Sequence, residues 1–138
     1  MNDAQPLQYR EESPFSDSLG IRLISAGKAE VLARMTATPA LSNHNGVLHG
    51  GAVMGLADHA GGTAAFMNLR RGEATTTIES KTNFLRPVRT GDVAHARCIV
   101  LHKGGKTMVL QTTITRGDGK VAAIVTQTQM IMEWQEPD

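Results

Sequence analysis

Between His49 and Arg70 the chain reads HGGAVMGLADHAGGTAAFMNLR, and a single carboxylate, Asp58, stands in it among small and apolar residues. An ionised group costs several kcal/mol to bury unless it is paired, so Asp58 has either a structural partner or chemical work. A carboxylate so placed can act as a general base toward water or as a nucleophile through a mixed anhydride. Gly50 and Gly51 open the same stretch. At the start of a helix their N–H groups are unsatisfied and lie at the positive end of the macrodipole, where a developing oxyanion is favoured. Glycine keeps that approach open. A carboxylate and an open oxyanion site in one segment point to acyl-transfer chemistry.

Those residues need a scaffold. Val53, Leu56, Ala57, Ala60, Ala64, Phe66 and Leu69 recur at spacings of three and four, which predicts a helix over 49–70, the one good helix in the chain. Gly55, Gly61 and Gly62 each weaken it by up to about 1 kcal/mol relative to Ala, so surrounding structure must hold it. Small side chains admit close backbone approach, and a sheet curled around the helix meets that demand. Residues 20–37 alternate as one long strand bent at Ser25-Ala26-Gly27, with Ala29, Val31, Ala33, Met35 and Ala37 on one face. A loop over 41–48 carries turn chemistry at Asn45-Gly46. After Arg71-Gly72-Glu73, strands are expected over 76–85, 92–103, 106–116 and 120–133, the last three joined by glycine turns. The expected class is α+β: strand, helix, four strands, with a curled antiparallel sheet around one central helix.

The 138 residues fit one domain over 19–138, behind a polar arm over 1–18 rich in Pro and Ser. A net charge of +1 and 4% aromatic residues give no mandate for nucleic acid. No apolar run reaches the length of a membrane span, and the first residues lack the apolar core of a leader. One cysteine, Cys98, excludes an internal disulfide and suits a reducing cytoplasm.

Asn43, His49-Gly50-Gly51 and Asp58, followed by Thr77 on a strand and by Phe84-Leu85-Arg86-Pro87 and Gly91-Asp92, form a pattern that resembles the hotdog-fold acyl-CoA thioesterases of the phenylacetyl-CoA thioesterase (PaaI-like) type. The resemblance covers about residues 15 to 133. It implies that the Gly50 N–H polarises the thioester carbonyl, that Asp58 activates water or attacks, and that Asn43 and His49 hold the ligand. Thr77 matches a place where relatives often carry Ser or Thr. The helix Glu used by relatives with another layout is missing. The resemblance also implies dimers that often pair into tetramers, and no cofactor, coenzyme A being part of the substrate.

Each of these residues has a plainer reading. His49 serves equally as a helix N-cap, Asn43 as a turn residue and Thr77 as an ordinary β-branched strand residue. His44, His49, Asp58 and His59 do not follow a metal-ligand spacing. Cys98 alternates with Ala94, Ala96 and Val100 as a small core residue. Arg86, Arg89, Lys103 and Lys106 stand at strand ends, where such residues are usually solvated, yet with Gly51 near a thioester they would suit the phosphates of coenzyme A. Besides the acyl-CoA thioesterase, the residues admit a hotdog hydratase or dehydratase and a non-catalytic acyl-CoA binder. His49 and Asp58 are nine residues apart, about 13 Å of rise and half a rotation beyond two turns, so they face opposite sides of one helix. If both serve one carbonyl, the site is built across a two-fold interface, with Asn43, His49 and Gly50 from one subunit facing Asp58 and Thr77 from the other.

Overall fold

A computed structural model describes residues 12–134, so most of the expected arm lies outside the described residues. The elements run α1 (Pro14–Ser18), β1 (Arg22–Ala26), β2 (Glu30–Thr36), a 3-10 turn (Pro39–Leu41), α2 (Gly50–Phe66), β3 (Glu73–Phe84), β4 (Val93–Lys103), β5 (Thr107–Thr115) and β6 (Val121–Glu133). The strands make one antiparallel sheet in the order β1-β2-β4-β5-β6-β3. It curls about α2, which packs against all six strands.

The expected bent strand is a hairpin. At Gly27 the N–H donates to the Glu30 carbonyl at 2.9 Å, and β1 folds back on β2 with Ala26 opposite Val31 and Arg22 opposite Arg34. Ser25-Ala26-Gly27 offers the same backbone freedom to a reversal as to a bend, and alternation survives both. Val31, Ala33, Met35 and Ala37 are buried as the pattern requires, while Ala29 falls in the turn and is exposed. The helix also stops at Phe66 instead of Arg70. The Asn68 side chain explains this: its Nδ2 donates to the Ala64 and Lys28 carbonyls, both at 2.9 Å, and so closes the last turn. Gly72, at φ +82°, then turns the chain into β3.

The core lies between α2 and the concave face of the sheet. Ala57, Ala60, Gly61 and Ala64 face strands whose inward positions include Ala94, Ala96, Leu110 and Val125. Small residues on both sides bring the helix close, and larger ones fill the gaps. Leu56 and Leu110, fully buried, each contribute about 1.5–3 kcal/mol by leaving water. Ser13 caps α1 by accepting from the Ser16 N–H, and α1 lies against α2, where Leu19 and Phe15 approach Gly55.

β3 is the edge strand beside β6. Its register shifts between Thr77 and Glu79, so Ile78 is an extra residue, and it stands 56% exposed. Phe84 and Leu85 at the far end of β3 are exposed as well. Such a bulge re-aims its neighbours, here Thr77, without ending the ladder.

Candidate active site

The loop before α2 is drawn onto the segment after β3. Leu48 N–H donates to the Val88 carbonyl at 2.7 Å, and Val47 bridges to Arg89. Asn45-Gly46 makes the expected turn, with Gly46 at φ +75° and its N–H on the Asn43 carbonyl at 3.1 Å. The turn therefore uses the Asn43 backbone. Among the described residues the Asn43 amide side chain has no hydrogen-bond partner, so it is not the Asx-turn residue that its position allowed.

His49 is the N-cap of α2: its Nδ1 accepts from the Gly51 N–H at 2.8 Å. With Nδ1 an acceptor, the ring proton of the neutral imidazole is assigned to Nε2. The Ala52 and Val53 N–H groups both reach the His49 carbonyl. Among the described residues, the Gly50 N–H is the one donor of the first turn with no acceptor. Phe84 lies against Gly50, with its ring 3.2 Å from where a Cβ would stand. Asn43, Leu48, Gly50, Phe84, Arg86 and Val88 line an open cleft of about 390 Å³. Of the expected ligand residues, this brings together Asn43, Gly50 and Arg86. The Arg86 Nη1 donates to the Val121 carbonyl at 2.8 Å.

Asp58 and Thr77 meet elsewhere. The Thr77 hydroxyl donates to Asp58 Oδ1 at 2.9 Å, and Gln127 Nε2 donates to the same oxygen. Gln127 and Gln129 on β6 also reach Thr77 Oγ1, at 3.1 and 2.7 Å. Asp58 is exposed in the single chain rather than buried. Its flank of α2 faces the edge strand β3, beyond which no described residue covers it. Beside it, burial holds the His59 imidazole below its ordinary range, against the pull of Glu12 and Asp58, and keeps it neutral at pH 7. His59 Nδ1 lies 2.9 Å from the Ser16 hydroxyl.

Thr77 is level with Gln129 and Phe84 with Ala123, about 20 Å apart along the strand, while Gly50 and Asp58 themselves are eight residues apart on α2, about 12 Å of rise. No single carbonyl spans that distance. The basic turns divide likewise: Arg86 and Arg89 follow β3, whereas Lys103 and Lys106 flank the turn before Thr107, which is level with Met130 and through it with Thr76. Gly51 is engaged by the His49 cap. Cys98 is fully buried, and burial pushes its thiol up, which agrees with a core role. Among the described residues no three His, Cys, Asp or Glu side chains cluster as metal ligands.

Gln127 and Gln129 escaped the sequence reading. The signal was present: on β6 they share the inward phase of Ala123 and Val125, so amides fall where apolar residues belong. Both are almost fully buried, at 3% and 1% exposure.

One long helix wrapped by a curled antiparallel sheet is a hotdog fold. The chain belongs to the Thioesterase superfamily, whose family model matches residues 45–123, more than half of its length. Among its relatives is the 1,4-dihydroxy-2-naphthoyl-CoA hydrolase of Listeria monocytogenes, 28% identical over 108 residues, 78% of this chain and 87% of that protein. Among solved structures, thioesterase HI1161 from Haemophilus influenzae superposes with a TM-score of 0.83 at 28% identity, covering 88% of this chain and 85% of that one. The E. coli PaaI protein of the phenylacetic acid degradation operon gives 0.80 at 28% identity, with 88% and 86% covered. No described helix is long and apolar enough to cross a membrane.

Proposed function

We propose that this thioesterase hydrolyses acyl-CoA at sites shared by two copies of the chain. The observation that carries the reading is the unpartnered Gly50 N–H opening on the 390 Å³ cleft. There the developing oxyanion gains a donor at a helix N-terminus, an arrangement worth several kcal/mol in acyl transfer. Asn43 and the Nε2–H of His49 hold the ligand. Asp58, anchored on Oδ1 by Thr77 and Gln127, offers Oδ2 as base toward water or as nucleophile, and the coenzyme A thiolate departs. Because about 12 Å of helix rise separates Gly50 from Asp58 within one chain, the Asp58 and Thr77 of one subunit serve the Gly50 of the other. A two-fold axis that sets two β3 strands antiparallel, with Ser80 and Lys81 near its centre, brings Thr77 opposite the partner's Phe84. A homodimer is the minimum assembly, and a tetramer is its pairing. The single domain takes in α1, which packs on α2 through Ser16 and His59.

Leu48, Phe84 and Val88 give the cleft an apolar wall suited to an aryl or medium-length acyl group. The name of the Listeria relative, with its naphthoyl-CoA, agrees with the aryl choice. The cytoplasm is the proposed compartment, where acyl-CoA and a free Cys98 thiol coexist. The purified protein, given a panel of acyl-CoAs with a thiol reagent, should release free coenzyme A most rapidly from aryl or medium-length members. Hydration of an enoyl-CoA without thiol release would overturn hydrolysis, and binding without turnover would make the protein a carrier.

The same antiparallel axis brings the Lys103–Lys106 turn of one subunit to the end of β3 that carries Arg86 and Arg89 in the other. Charge reversal at either basic pair should raise KM for acyl-CoA about tenfold, near 1.4 kcal/mol of lost attraction, and leave KM unchanged for a short thioester lacking the nucleotide. Equal effects on both substrates would remove these turns from coenzyme A binding.

A further inference from the structure

The hydrogen bonds around Asp58 can run in only one direction. An ionised carboxylate accepts and never donates. Thr77 Oγ1 lies 2.9 Å from Asp58 Oδ1, so the hydroxyl proton must stand between them. Having spent its one proton, Thr77 can only accept from its other neighbours. Gln129 must therefore present Nε2 to it, at 2.7 Å, which turns Gln129 Oε1 outward to accept from the Thr75 hydroxyl at 2.9 Å. Gln127 must also present Nε2, since it reaches both Asp58 Oδ1 and Thr77 Oγ1. Its Oε1 is left buried without a partner. That oxygen occupies the space where a Cβ on residue 61 would stand, so Gly61 makes room for it. A buried amide oxygen left unsatisfied is unfavourable, and here it is the cost of aiming both amide donors at the Asp58–Thr77 pair. The chain of bonds ends on one carboxylate oxygen, Oδ1, which takes both Thr77 and Gln127, while Oδ2 has no donor among the described residues.

We propose that Gln129 is a positioning residue that acts through Thr77: by filling the second acceptor site of its hydroxyl beside Gln127, it commits the Thr77 proton to Asp58 Oδ1 and reserves Oδ2 for the reaction. The proposal rests on Asp58 being the reacting carboxylate, as argued above. Thr75 sets the amide of Gln129, and the bulge at Ile78 brings Thr77 level with Gln129.

Gln129→Glu tests this directly. At alkaline pH, where the buried new carboxyl is ionised, it accepts from Thr75 with one oxygen and draws the Thr77 proton to the other, away from Asp58. The expected result is a fall in kcat of about 10- to 100-fold, within the range of a misplaced general base, with KM for acyl-CoA within about threefold of the unmodified enzyme. The acid limb of the kcat/KM profile should move to higher pH, because the ionised carboxyl of Asp58 loses a donor. Gln129→Met, which has neither donor nor acceptor, should slow the enzyme less, and in a Thr77→Val background it should add less than about twofold. Multiplying effects in that double variant, or a Gln129→Glu enzyme within twofold of the unmodified kcat at that alkaline pH, would overturn the proposal. If buried changes at Gln129 prevent folding, Thr75→Val at the outer end of the chain of bonds decides it: the acid limb should shift the same way by a smaller amount, and an unchanged profile counts against the proposal. The carboxyl carbon of Asp58, followed by NMR as pH is varied, gives a readout free of turnover. Should the panel show no thioester hydrolysis, the proposed function fails, while the displacement of that titration in Gln129→Glu still decides whether Gln129 acts on Asp58.

Discussion

Asp58→Asn is expected to lower kcat for acyl-CoA hydrolysis by about 10²- to 10⁴-fold, the range for loss of a positioned base, with the thermal midpoint unchanged. The side-chain network explains why the two effects separate. Among the described residues only Oδ1 of Asp58 accepts bonds, from Thr77 and Gln127, and the amide oxygen of Asn can accept both. What the substitution takes away is the charge and basicity of Oδ2, which has no donor among the described residues. Asp58 makes no ion pair among the described residues whose loss would destabilise the fold. The measurement is kcat on the best member of the acyl-CoA panel beside a thermal melt. Activity within a few-fold of the unmodified enzyme, in a protein that melts normally, removes Asp58 from the chemistry.

The second large effect concerns the N–H of residue 50. Gly50→Pro replaces that N–H by the ring Cδ with the backbone kept, because Pro is well accepted at the first position of a helix and His49, at φ −62° and ψ 137°, already has the extended conformation required before proline. Loss of one oxyanion donor should cost about 10²- to 10³-fold in kcat. Gly50→Ala is the control: it keeps the N–H and adds a Cβ about as close to Phe84 as the Pro Cβ would be, so any loss there reports crowding. The variant also tests the shared site. Co-refolding Gly50→Pro with Asp58→Asn subunits at equal ratio makes about half the dimers mixed by random pairing. Each mixed dimer holds one doubly altered site and one intact site, so activity should return to about one quarter of the unmodified enzyme. Two inactive, folded variants that exchange subunits and stay inactive together would show that Gly50 and Asp58 do not serve one thioester.

Much of this fold was open to reading because alternation and helical spacing report burial, and burial decides the elements. The inward face of β2 came out at Val31, Ala33 and Met35 but not at Ala29, and the apolar stripe of α2 at Val53, Leu56, Ala57, Ala60 and Ala64, with Phe66 only half-buried. The β1–β2 hairpin did not, since a reversal and a bend leave the same two-residue pattern on either side of Ser25-Ala26-Gly27. The helix end was overrun for a related reason. Leu69 keeps the helical spacing and is buried, but an asparagine side chain closes the last turn before it, and periodicity carries no record of such a cap. At the site, the spacing from Asn43 to Asp58 located the loop and helix residues. It said nothing of Gln127 and Gln129, which lie far along the chain and reach Asp58 only through the pairing of β6 with β3. Polar residues in an inward phase were the available clue.

The bulged edge strand has a thermodynamic consequence. β3 presents a ladder edge 12 residues long with Ile78, Phe84 and Leu85 exposed along or beside it, and an uncovered edge of that kind recruits other strands. When the strand it recruits is a second β3, association both covers the edge and completes the proposed catalytic sites, so specific activity follows mass action. On dilution below the dimer dissociation constant, rate per milligram should fall in proportion to the total protein concentration, while a competing peptide strand becomes an inhibitor that never enters the acyl cleft.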